Sequence, residues 1–312
     1  MQQTNLQPYK QIQGVYVHIP FCRQKCLYCD FNSYAGFGAD VMAAYACAVC
    51  REIAGRSKDL PVNANASIYF GGGTPSLLPV DCIERIVSAL KRYGYWQQPR
   101  EASSEANPGT VDLAKLKALR QMGFERISFG VQSLNNDELL AIGRVHNAAE
   151  ALEAINLAKQ AGFTRINADV IYGLPGQTMA SLKNTLQRLA ATGIEHLSVY
   201  GLIVEDGTPL QKLVEAGKII LPNEDEAADM YEFVQAFLKD QGFERYEISN
   251  YARGGAYSKH NLVYWHYYPY AAFGAGACGF NGSARFTGTP SVRNYIEGIT
   301  NGKPVYDVEQ LT

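Results

Sequence analysis

The chain has 312 residues, of which 47% are hydrophobic and 19% charged, proportions typical of a globular protein that buries a large core without disulfide or metal support. Its formal net charge of −2 excludes the basic surplus that nucleic-acid binding or a polybasic membrane anchor requires. Because the first residues lack the pattern of a signal peptide and no stretch approaches the ~20 apolar residues that span a bilayer, we expect a cytoplasmic protein with at most peripheral membrane contact.

Strand-like and helix-like segments alternate over the first two thirds of the chain with a spacing of roughly 30 residues, the size of one strand-helix unit. The strand candidates are Gly14–His18, Ser67–Phe70, Glu101–Glu105, Arg126–Gly130, Arg165–Ile171 and His196–Gly201. The helix candidates cover residues 39–56, 79–94, 110–122, 148–162 and 178–192. Such a repeat forms either an open doubly wound sheet or a wholly or partly closed barrel, and periodicity alone does not choose between them.

The pattern changes near residue 205, where a polar segment precedes a helix candidate at 224–241. A stretch dense in tyrosine and glycine follows at 246–286. We therefore predict two regions. Residues 1–204 form the strand-helix repeat, and residues 205–312 form an irregular extension of helix and strand that closes over the barrel mouth.

Seven cysteines in a chain expected in the reducing cytoplasm indicate metal ligands and buried thiols more than a disulfide framework. Cys22, Cys26 and Cys29 follow the first strand candidate with the spacing C-x3-C-x2-C. Such a loop can hold one corner of an iron–sulfur cluster with three thiolates and leave one iron open to a reacting molecule. The alternatives are cysteines without metal and a zinc site that includes His18, whose position within the strand disfavours zinc.

Polar or glycine-rich residues also lie at or near the carboxyl ends of the next four strand candidates, at the rim where parallel strand-helix folds build their sites. They are the run Gly71–Pro75 and the residues Glu105, Gln132 and Asp169. Glycines let the backbone approach a small molecule closely, and Thr74 adds a hydroxyl group. Glu105 can accept hydrogens from amino or hydroxyl groups, while Arg144 can bind a carboxylate in fork geometry. A plain tight turn remains the alternative for the glycines, and a solvated or structural role for each polar residue taken singly.

Six motifs between Tyr16 and Thr178 are specific as a set: "YVHIPFCRQKCLYCDFNS", "GGGTPSLL", "EANPGT", "SFGVQS", "GRVHN" and "DVIYGLPGQT". Together they resemble the radical S-adenosylmethionine (SAM) superfamily, in the branch of HemW haem chaperones and oxygen-independent coproporphyrinogen III oxidases. The resemblance implies a partial (βα)6 barrel of the TIM type, a 4Fe-4S cluster on the three cysteines, and SAM on the open iron. It also implies one-electron cleavage of SAM to methionine and a deoxyadenosyl radical, with a reductant such as flavodoxin or ferredoxin. The residues it assigns to SAM are Tyr16, Tyr28, Gly71, Gly72, Gly73, Thr74, Glu105, Gln132, Arg144 and Asp169.

Two features distinguish the members of this branch. The oxidases carry a fourth cysteine and a long N-terminal extension, whereas here Phe31 occupies the position of that cysteine and 21 residues precede Cys22. The segment "HNLVYW" matches the H-N-x-x-Y-W motif of HemW, and the resemblance implies that His260 in it binds haem iron. The alternative is that His260 only forms hydrogen bonds in an aromatic loop, and His266 is a second candidate haem contact.

The favoured function is a haem chaperone that binds a 4Fe-4S cluster, SAM and haem and delivers haem to an acceptor protein. The alternatives are an oxidase that converts two propionates of coproporphyrinogen III to vinyl groups, and a cluster-binding protein without turnover. Two departures from the branch accompany this prediction. Cys278 in "GAGACGF" stands where the branch has histidine, and the chain stops at Thr312 where relatives continue into a small domain, so we expect impaired closure of the haem site.

The remaining cysteines and histidines have mostly structural interpretations. Cys47 and Cys50 are predicted to share a buried helix face, with a second metal site as the alternative for this C-x2-C pair, and Cys82 is predicted to lie in the core. His18 is expected to brace the cysteine loop. His146 follows Arg144 at the predicted mouth and is expected either to contact ligand or to serve as a cap or solvated residue.

Overall fold

Six parallel strands form the centre of the fold in the computed structural model, which describes residues 11–58, 61–303 and 305–311. They are β1 (Ile12–Ile19), β2 (Val62–Gly72), β3 (Ala102–Ala106), β4 (Arg126–Gln132), β5 (Arg165–Tyr172) and β6 (His196–Gly201). Each strand pairs with the next one along the chain, and β1 does not pair with β6 in the part of the chain described. The predicted partial (βα)6 barrel is therefore confirmed, with all six strand candidates present. The polar start of the sequence, residues 1–10, lies outside the described residues.

Helices follow the strands, and five of the first six match the sequence candidates. They are α1 (Ala39–Arg56), α2 (Val80–Arg92), α3 (Leu113–Met122), α4 (Asn136–Ala141), α5 (Ala148–Gln160) and α6 (Met179–Ala191). Asn147 and Thr178 begin α5 and α6 with capping boxes that satisfy backbone donors of the first turn. The sequence did not predict α4, because a six-residue helix is too short to display a helical period. No helix within the described ranges is long and apolar enough to cross a membrane.

Side chains alternate along the strands between a helix-facing core and an internal cavity, as the pleat of a strand requires. On β4 the fully buried residues of the hydrophobic core are Ile127, Phe129 and Val131. The intervening residues, which line the cavity, are Arg126, Ser128, Gly130 and Gln132. The lumen of the barrel is therefore polar, while its outer layer is apolar.

The C-terminal region extends the sheet at both edges. Its helices are α7 (Pro209–Glu215), α8 (Glu224–Asp240), α9 (Lys259–Trp265) and α10 (Val292–Thr300). Its strands are β7 (Glu244–Arg245), β8 (Asn250–Ala252), β9 (Tyr270–Phe273), β10 (Cys278–Phe280), β11 (Ala284–Gly288) and β12 (Tyr306–Gln310). Strand β8 pairs antiparallel with β6, β9 pairs parallel with β1, and the result is a sheet of 12 strands.

This region also contacts both ends of the barrel, where the sequence predicted only a cover over the mouth. At the carboxyl ends of the strands, Asn32 of the cysteine loop donates its amide hydrogen to the carbonyl of Ala275 at 3.0 Å. At the opposite end, the Lys259 amide of α9 donates to the carboxylate of Glu101, which directly precedes β3, at 2.9 Å. Helix α9 therefore lies against the amino-terminal ends of the strands.

The prediction for the cysteines of α1 was wrong in part. Cys82 is buried in the core as predicted, but Cys47 is exposed and Cys50 is only half-buried. The buried side of α1 is formed by other residues, namely Tyr45, Ala46, Ala48, Val49, Glu52 and Ile53. A helix rich in alanine and cysteine has no pronounced apolar stripe, so its sequence did not determine which face is buried.

Candidate functional site

The loop after β1 carries Cys22, Cys26 and Cys29 and is held by backbone hydrogen bonds on both sides. The Cys22 amide donates to the Tyr34 carbonyl at 2.9 Å, and the Leu27 amide donates to the Ile142 carbonyl at 3.1 Å. All three cysteines are unpaired and half-buried, and all three line the internal cavity. The loop therefore presents three thiols to one space.

Each of these sulfurs lies near a polar side chain. Thr74 Oγ1 is 3.6 Å from Cys22 Sγ, Arg144 Nη1 is 3.4 Å from Cys26 Sγ, and Ser33 Oγ is 3.9 Å from Cys29 Sγ. Burial raises the pKa of Cys22 and Cys29, so these thiols retain their protons unless a metal ion offsets the desolvation of the thiolate.

Asn107 joins two of these donors into one chain of hydrogen bonds. Its Nδ2 donates to Thr74 Oγ1 at 2.8 Å, and its Oδ1 accepts from Arg144 Nη2 at 2.7 Å. A continuous chain thus runs from Cys22 to Cys26 through three side chains. Such outer contacts fix the orientation of metal ligands, and the sequence analysis did not single out Asn107.

His18 braces the cysteine loop, as predicted. Its Nε2 is 2.8 Å from the Asn32 carbonyl, and its Nδ1 is 2.9 Å from the Tyr16 hydroxyl. A carbonyl only accepts, so Nε2 carries the proton; burial lowers the pKa of His18, and the neutral ring accepts from Tyr16 at Nδ1. Both nitrogens are engaged, which disfavours the zinc alternative. Within the described ranges, no three His, Cys, Asp or Glu side chains converge on a single-ion site.

The glycine-rich segment packs against β1 and the cysteine loop. The Gly73 amide donates to the Ile19 carbonyl and the Thr74 amide to the Phe21 carbonyl, each at 2.8 Å. A Cβ on Gly73 would lie 2.8 Å from the Phe21 carbonyl oxygen, and Gly72 has a φ of +113°. Gly72 and Gly73 line the cavity, whereas Gly71 and Thr74 are not among the lining residues. The backbone at Gly73 therefore lies too close to the backbone of the cysteine loop for a side chain, which explains why glycine occupies this position of the motif.

We expect Gly72→Ala to destabilise the fold by about 2–5 kcal/mol, because the new Cβ would combine left-handed strain with overlap of the His18 ring. Gly176→Ala is the matched control, since Gly176 has a φ of +71° but no atom within 4 Å of an added Cβ. That control should cost only about 1–2 kcal/mol. Urea unfolding followed by circular dichroism measures both, and equal losses would show that contact with His18 contributes nothing.

Two partly buried carboxyl groups line the cavity, Glu105 on β3 and Asp169 on β5. Glu105 accepts hydrogen bonds from the Tyr69 hydroxyl at 2.8 Å and the Gly72 amide at 3.0 Å, and burial raises the pKa of Glu105 to about 7. Asp169 accepts from Asn167 at 2.8 Å and Ser128 at 3.1 Å, and burial raises its pKa as well. Glu105 can therefore exchange a proton near neutral pH.

Gln132 has an uncommon backbone conformation, with a φ of +66° in a non-glycine residue at the end of β4. The register between β4 and β5 shifts between Gly130 and Gln132, so a bulge at this position directs the following chain. Gln132 is buried and lines the cavity. Strained residues of this kind cluster at binding sites, which agrees with the predicted role of Gln132.

The two terminal nitrogens of the Arg144 guanidinium already contact other groups of the protein. Its Nη2 donates to the Gly130 carbonyl at 2.5 Å as well as to Asn107, and its Nη1 points to Cys26. Only Nε is buried without a partner. A free fork for a carboxylate, as the sequence predicted, is therefore absent in this conformation, and Arg144 connects the cysteine loop to β4.

The cavity has a volume of about 410 Å³ and contains most of the residues assigned to the cluster and SAM. The predicted residues that line it are Cys22, Cys26, Cys29, Tyr28, Gly72, Gly73, Glu105, Gln132, Arg144 and Asp169. Other lining residues were not predicted from the sequence, among them Tyr69, Asn107, Arg126, Ser128, Asn167, Ser198 and Tyr200. Many lie two or four positions from a predicted residue on the same strand, so the period of two along a strand was the signal that could have found them.

His260 lies outside this lining and is 1% exposed. Its Nδ1 is 2.9 Å from Ser67 Oγ, and its Nε2 is 2.8 Å from the Tyr264 hydroxyl. The ring stacks on Tyr69 with 5.1 Å between centroids, and burial lowers the pKa of His260 to about 3. In this conformation neither ring nitrogen of His260 is free to bind iron. His266, the second candidate, is exposed, and His146 is buried away from the cavity lining.

Comparison with known proteins gives the family. Residues 16–189 match the family model of the radical SAM superfamily. The chain belongs to the radical SAM superfamily. Within it, the chain is a member of the HemW family. The Bacillus subtilis protein described as heme chaperone HemW is 36% identical over 306 residues, which cover 96% of this chain and 80% of that protein. The Synechocystis protein of the same description is 38% identical over 296 residues, 93% of this chain and 71% of that protein.

A solved structure of this superfamily also superposes on almost the whole chain. Coproporphyrinogen III oxidase (HemN) from Escherichia coli, a radical SAM enzyme, matches with a TM-score of 0.83 and 25% identity. The match covers 97% of this chain and 73% of that one. The predicted resemblance to this branch of radical SAM proteins is therefore confirmed.

Radical SAM membership implies a 4Fe-4S cluster and SAM as cofactors. The donor set of the cysteine loop fits the cluster, since three unpaired thiols with polar neighbours face one cavity. The cavity fits SAM in the chemistry of its lining, because Glu105 and Asp169 offer carboxyl groups, Gln132 an amide, and Gly72 and Gly73 exposed backbone. Tyr16, Gly71 and Thr74 do not line the cavity but contact residues near it. Tyr16 bonds to His18, Thr74 lies near Cys22, and Gly71 lies close to Tyr69 and Glu105.

Proposed function

We propose that this protein is a haem chaperone that binds haem and passes it to an acceptor protein. The observation that carries the proposal is the identity of 36% to heme chaperone HemW over 96% of the chain. Phe31 supports it, because an exposed phenylalanine at the cavity mouth stands where the oxidases carry their additional cysteine.

We further propose that Cys22, Cys26 and Cys29 hold the cluster and that the cavity binds SAM. When bound, the two cofactors supply one-electron chemistry, with the cluster as the electron source for SAM cleavage. Glu105 and Asp169 bind polar groups of SAM, and Glu105 can hold or release a proton near neutral pH. A reductant such as flavodoxin or ferredoxin would supply the electron.

For haem, we propose His260 Nε2 as the iron ligand, which requires a local rearrangement. The group that now occupies Nε2 is the hydroxyl of Tyr264, a residue that is 38% exposed. Rotation of Tyr264 toward solvent would uncover Nε2 while Ser67 still holds Nδ1 at 2.9 Å. A ligating imidazole whose second nitrogen is hydrogen-bonded is the usual arrangement at metal sites.

This arrangement predicts opposite effects of two substitutions on haem affinity. We expect His260→Gln to weaken haem binding by about tenfold or more, because an amide is a poor ligand for haem iron. We expect Tyr264→Phe to strengthen it, because the hydroxyl that competes with iron for Nε2 is removed. Titration of haem followed by Soret absorbance measures both affinities.

His266→Gln is the matched control, since it removes an exposed imidazole from the same segment. Loss of haem binding in His266→Gln together with normal binding in His260→Gln would transfer the ligand role to His266. Unchanged affinity in Tyr264→Phe would show that Nε2 is not the iron ligand. Transfer of bound haem to a haem-free acceptor protein then tests the chaperone activity itself.

The second candidate function is oxidation of coproporphyrinogen III, which the TM-score of 0.83 to the Escherichia coli oxidase supports. The reconstituted protein, supplied with SAM and a reductant, would be assayed for protoporphyrinogen formation from coproporphyrinogen III. Formation that requires SAM would favour the oxidase. Its absence in a protein that binds and transfers haem would favour the chaperone.

A further inference from the structure

Arg126 stands in the deepest part of the barrel lumen. It is the first residue of β4, is 3% exposed and lines the cavity. Its Cα is in register with Ser103 of β3 and Arg165 of β5. At about 3.3 Å per strand residue, it lies some 20 Å along β4 from Gln132 at the rim. Arg126 therefore lies one step below Glu105, which is in register with Ser128 two residues further along β4, or about 7 Å along the strand.

The guanidinium of Arg126 makes no hydrogen bond and no ion pair with any residue that the structure describes, and its Nη1 is buried without a partner. The hydroxyl of Ser103, its register neighbour on β3, is buried without a partner too. A buried cation that lacks a partner is costly, in contrast to Arg144, whose terminal nitrogens contact Gly130, Asn107 and Cys26. The lower lumen thus contains an unsatisfied positive charge beside an unsatisfied hydroxyl.

The acidic groups near Arg126 accept their hydrogen bonds from other residues. Burial raises the pKa of Asp169, and the charge of Arg126 is one of the influences that lower it, so the two groups interact at a distance without an ion pair. Asp169 accepts from Ser128 and Asn167, and Glu101 accepts the backbone amides of Lys259 and His260 at 2.9 and 3.3 Å. The other residues that line the cavity on this side are neutral and polar. Ser128, Asn167 and Ser198 lie at the level of the two carboxyl groups, and Ser258 and Asn261 belong to the C-terminal region. The environment therefore suits a group that carries one negative charge and accepts several hydrogen bonds.

We propose that Arg126 is the anchor of a carboxylate subsite in the lower lumen, which binds a small molecule with an alkyl carboxylate beneath the SAM site. The planar fork of arginine matches the two oxygens of a carboxylate. A single negative charge neutralises Arg126, whereas a phosphate dianion would add a further charge near Asp169 and Glu101. The subsite does not depend on the haem chaperone proposal, because nothing in its construction involves haem.

The test measures binding of propionate to the cluster-reconstituted protein by ligand-observed NMR, with and without SAM. Propionamide, which has nearly the same shape and no charge, is the matched ligand control. We expect saturable binding of propionate, no binding of propionamide, and a loss of about tenfold or more in propionate affinity in Arg126→Gln. Arg126→Lys should retain part of the affinity, because the charge remains while the fork is lost.

Arg165→Gln is the matched control variant. Arg165 is the register partner of Arg126 and also has a buried Nη1 without a partner, but it does not line the cavity. This variant should bind propionate like the wild type. Equal affinity of wild type and Arg126→Gln would overturn the proposal, as would equal binding of propionate and propionamide to the wild type. The comparison of the two ligands needs no variant, so it decides the question even if Arg126→Gln does not fold. Haem titration is a separate measurement, so failure of one proposal is distinguishable from failure of the other.

Discussion

Replacement of Cys26 by alanine is expected to abolish the SAM-responsive cluster, with a loss of SAM affinity of about a hundredfold or more. Cys26 is the middle cysteine of the loop, and its Sγ lies 3.4 Å from Arg144 Nη1. Its removal takes away one thiolate of three and also ends the chain of hydrogen bonds that reaches Cys22 through Asn107 and Thr74. Two thiolates remain, which is fewer than a stable cubane needs.

The measurement is anaerobic reconstitution with iron and sulfide, followed by absorbance and by EPR of the reduced protein with and without SAM. Cys47→Ala is the matched control, because Cys47 is an exposed cysteine on α1 that does not line the cavity. The control should bind a full cluster and show the same spectral change on addition of SAM. A Cys26→Ala protein that keeps a full cluster and its response to SAM would contradict the assignment of the cysteine loop.

The sequence predicted the barrel well because its signals are local. Strand candidates such as Gly14–His18 and Arg165–Ile171 are short runs with β-branched residues, and helix starts such as Asn147 and Thr178 carry their capping residues in the sequence itself. The parallel pairing of β9 with β1 was not predictable in this way. That contact joins segments more than 250 residues apart, and no local pattern specifies the neighbour of an edge strand.

The residues predicted for the site lie mostly at the ends of strands, and most of those that were missed lie along the strands. Glu105, Gln132 and Asp169 were found because they stand at the rim, where parallel strands deliver side chains to one place. Arg126 was missed because it begins a strand, a position that sequence reasoning treats as structural, and only the three-dimensional arrangement reveals that it has no partner. The hydrogen bonds of Arg144 were likewise invisible, since Gly130 and Cys26 come near it only after folding.

His260 illustrates a residue whose motif and surroundings suggest different roles. The motif predicts an iron ligand, whereas the ring is packed between Ser67 and Tyr264 beneath Tyr69. A protein can use such a position for both purposes if binding of haem provides the free energy to move Tyr264. The resting structure would then keep the imidazole neutral and protected, and its stability should depend on pH.

We expect the free energy of unfolding of the wild type relative to His260→Gln to decrease as pH falls from 6.5 toward 4. Burial lowers the pKa of His260 to about 3 in the folded state, against about 6.5 in the unfolded chain. Between these values the unfolded state binds more protons than the folded state, so stability rises with pH and is lost on acidification. The slope approaches about 1.4 kcal/mol per pH unit, which amounts to about 3 kcal/mol over this range.

The comparison isolates one group because the other titrating residues are present in both proteins. Glu105, whose raised pKa of about 7 gives the opposite slope between pH 4.5 and 7, cancels in the difference. Urea unfolding of the cluster-free protein at several pH values is the measurement, since the affinity of thiolates for metal also varies with pH. A difference between the two proteins that stays constant from pH 7 to 4 would mean that His260 gains its proton within the fold. In that case the hydrogen bond from Tyr264 does not keep Nε2 in the neutral form that iron requires, and the route to a haem ligand through rotation of Tyr264 would fail with it.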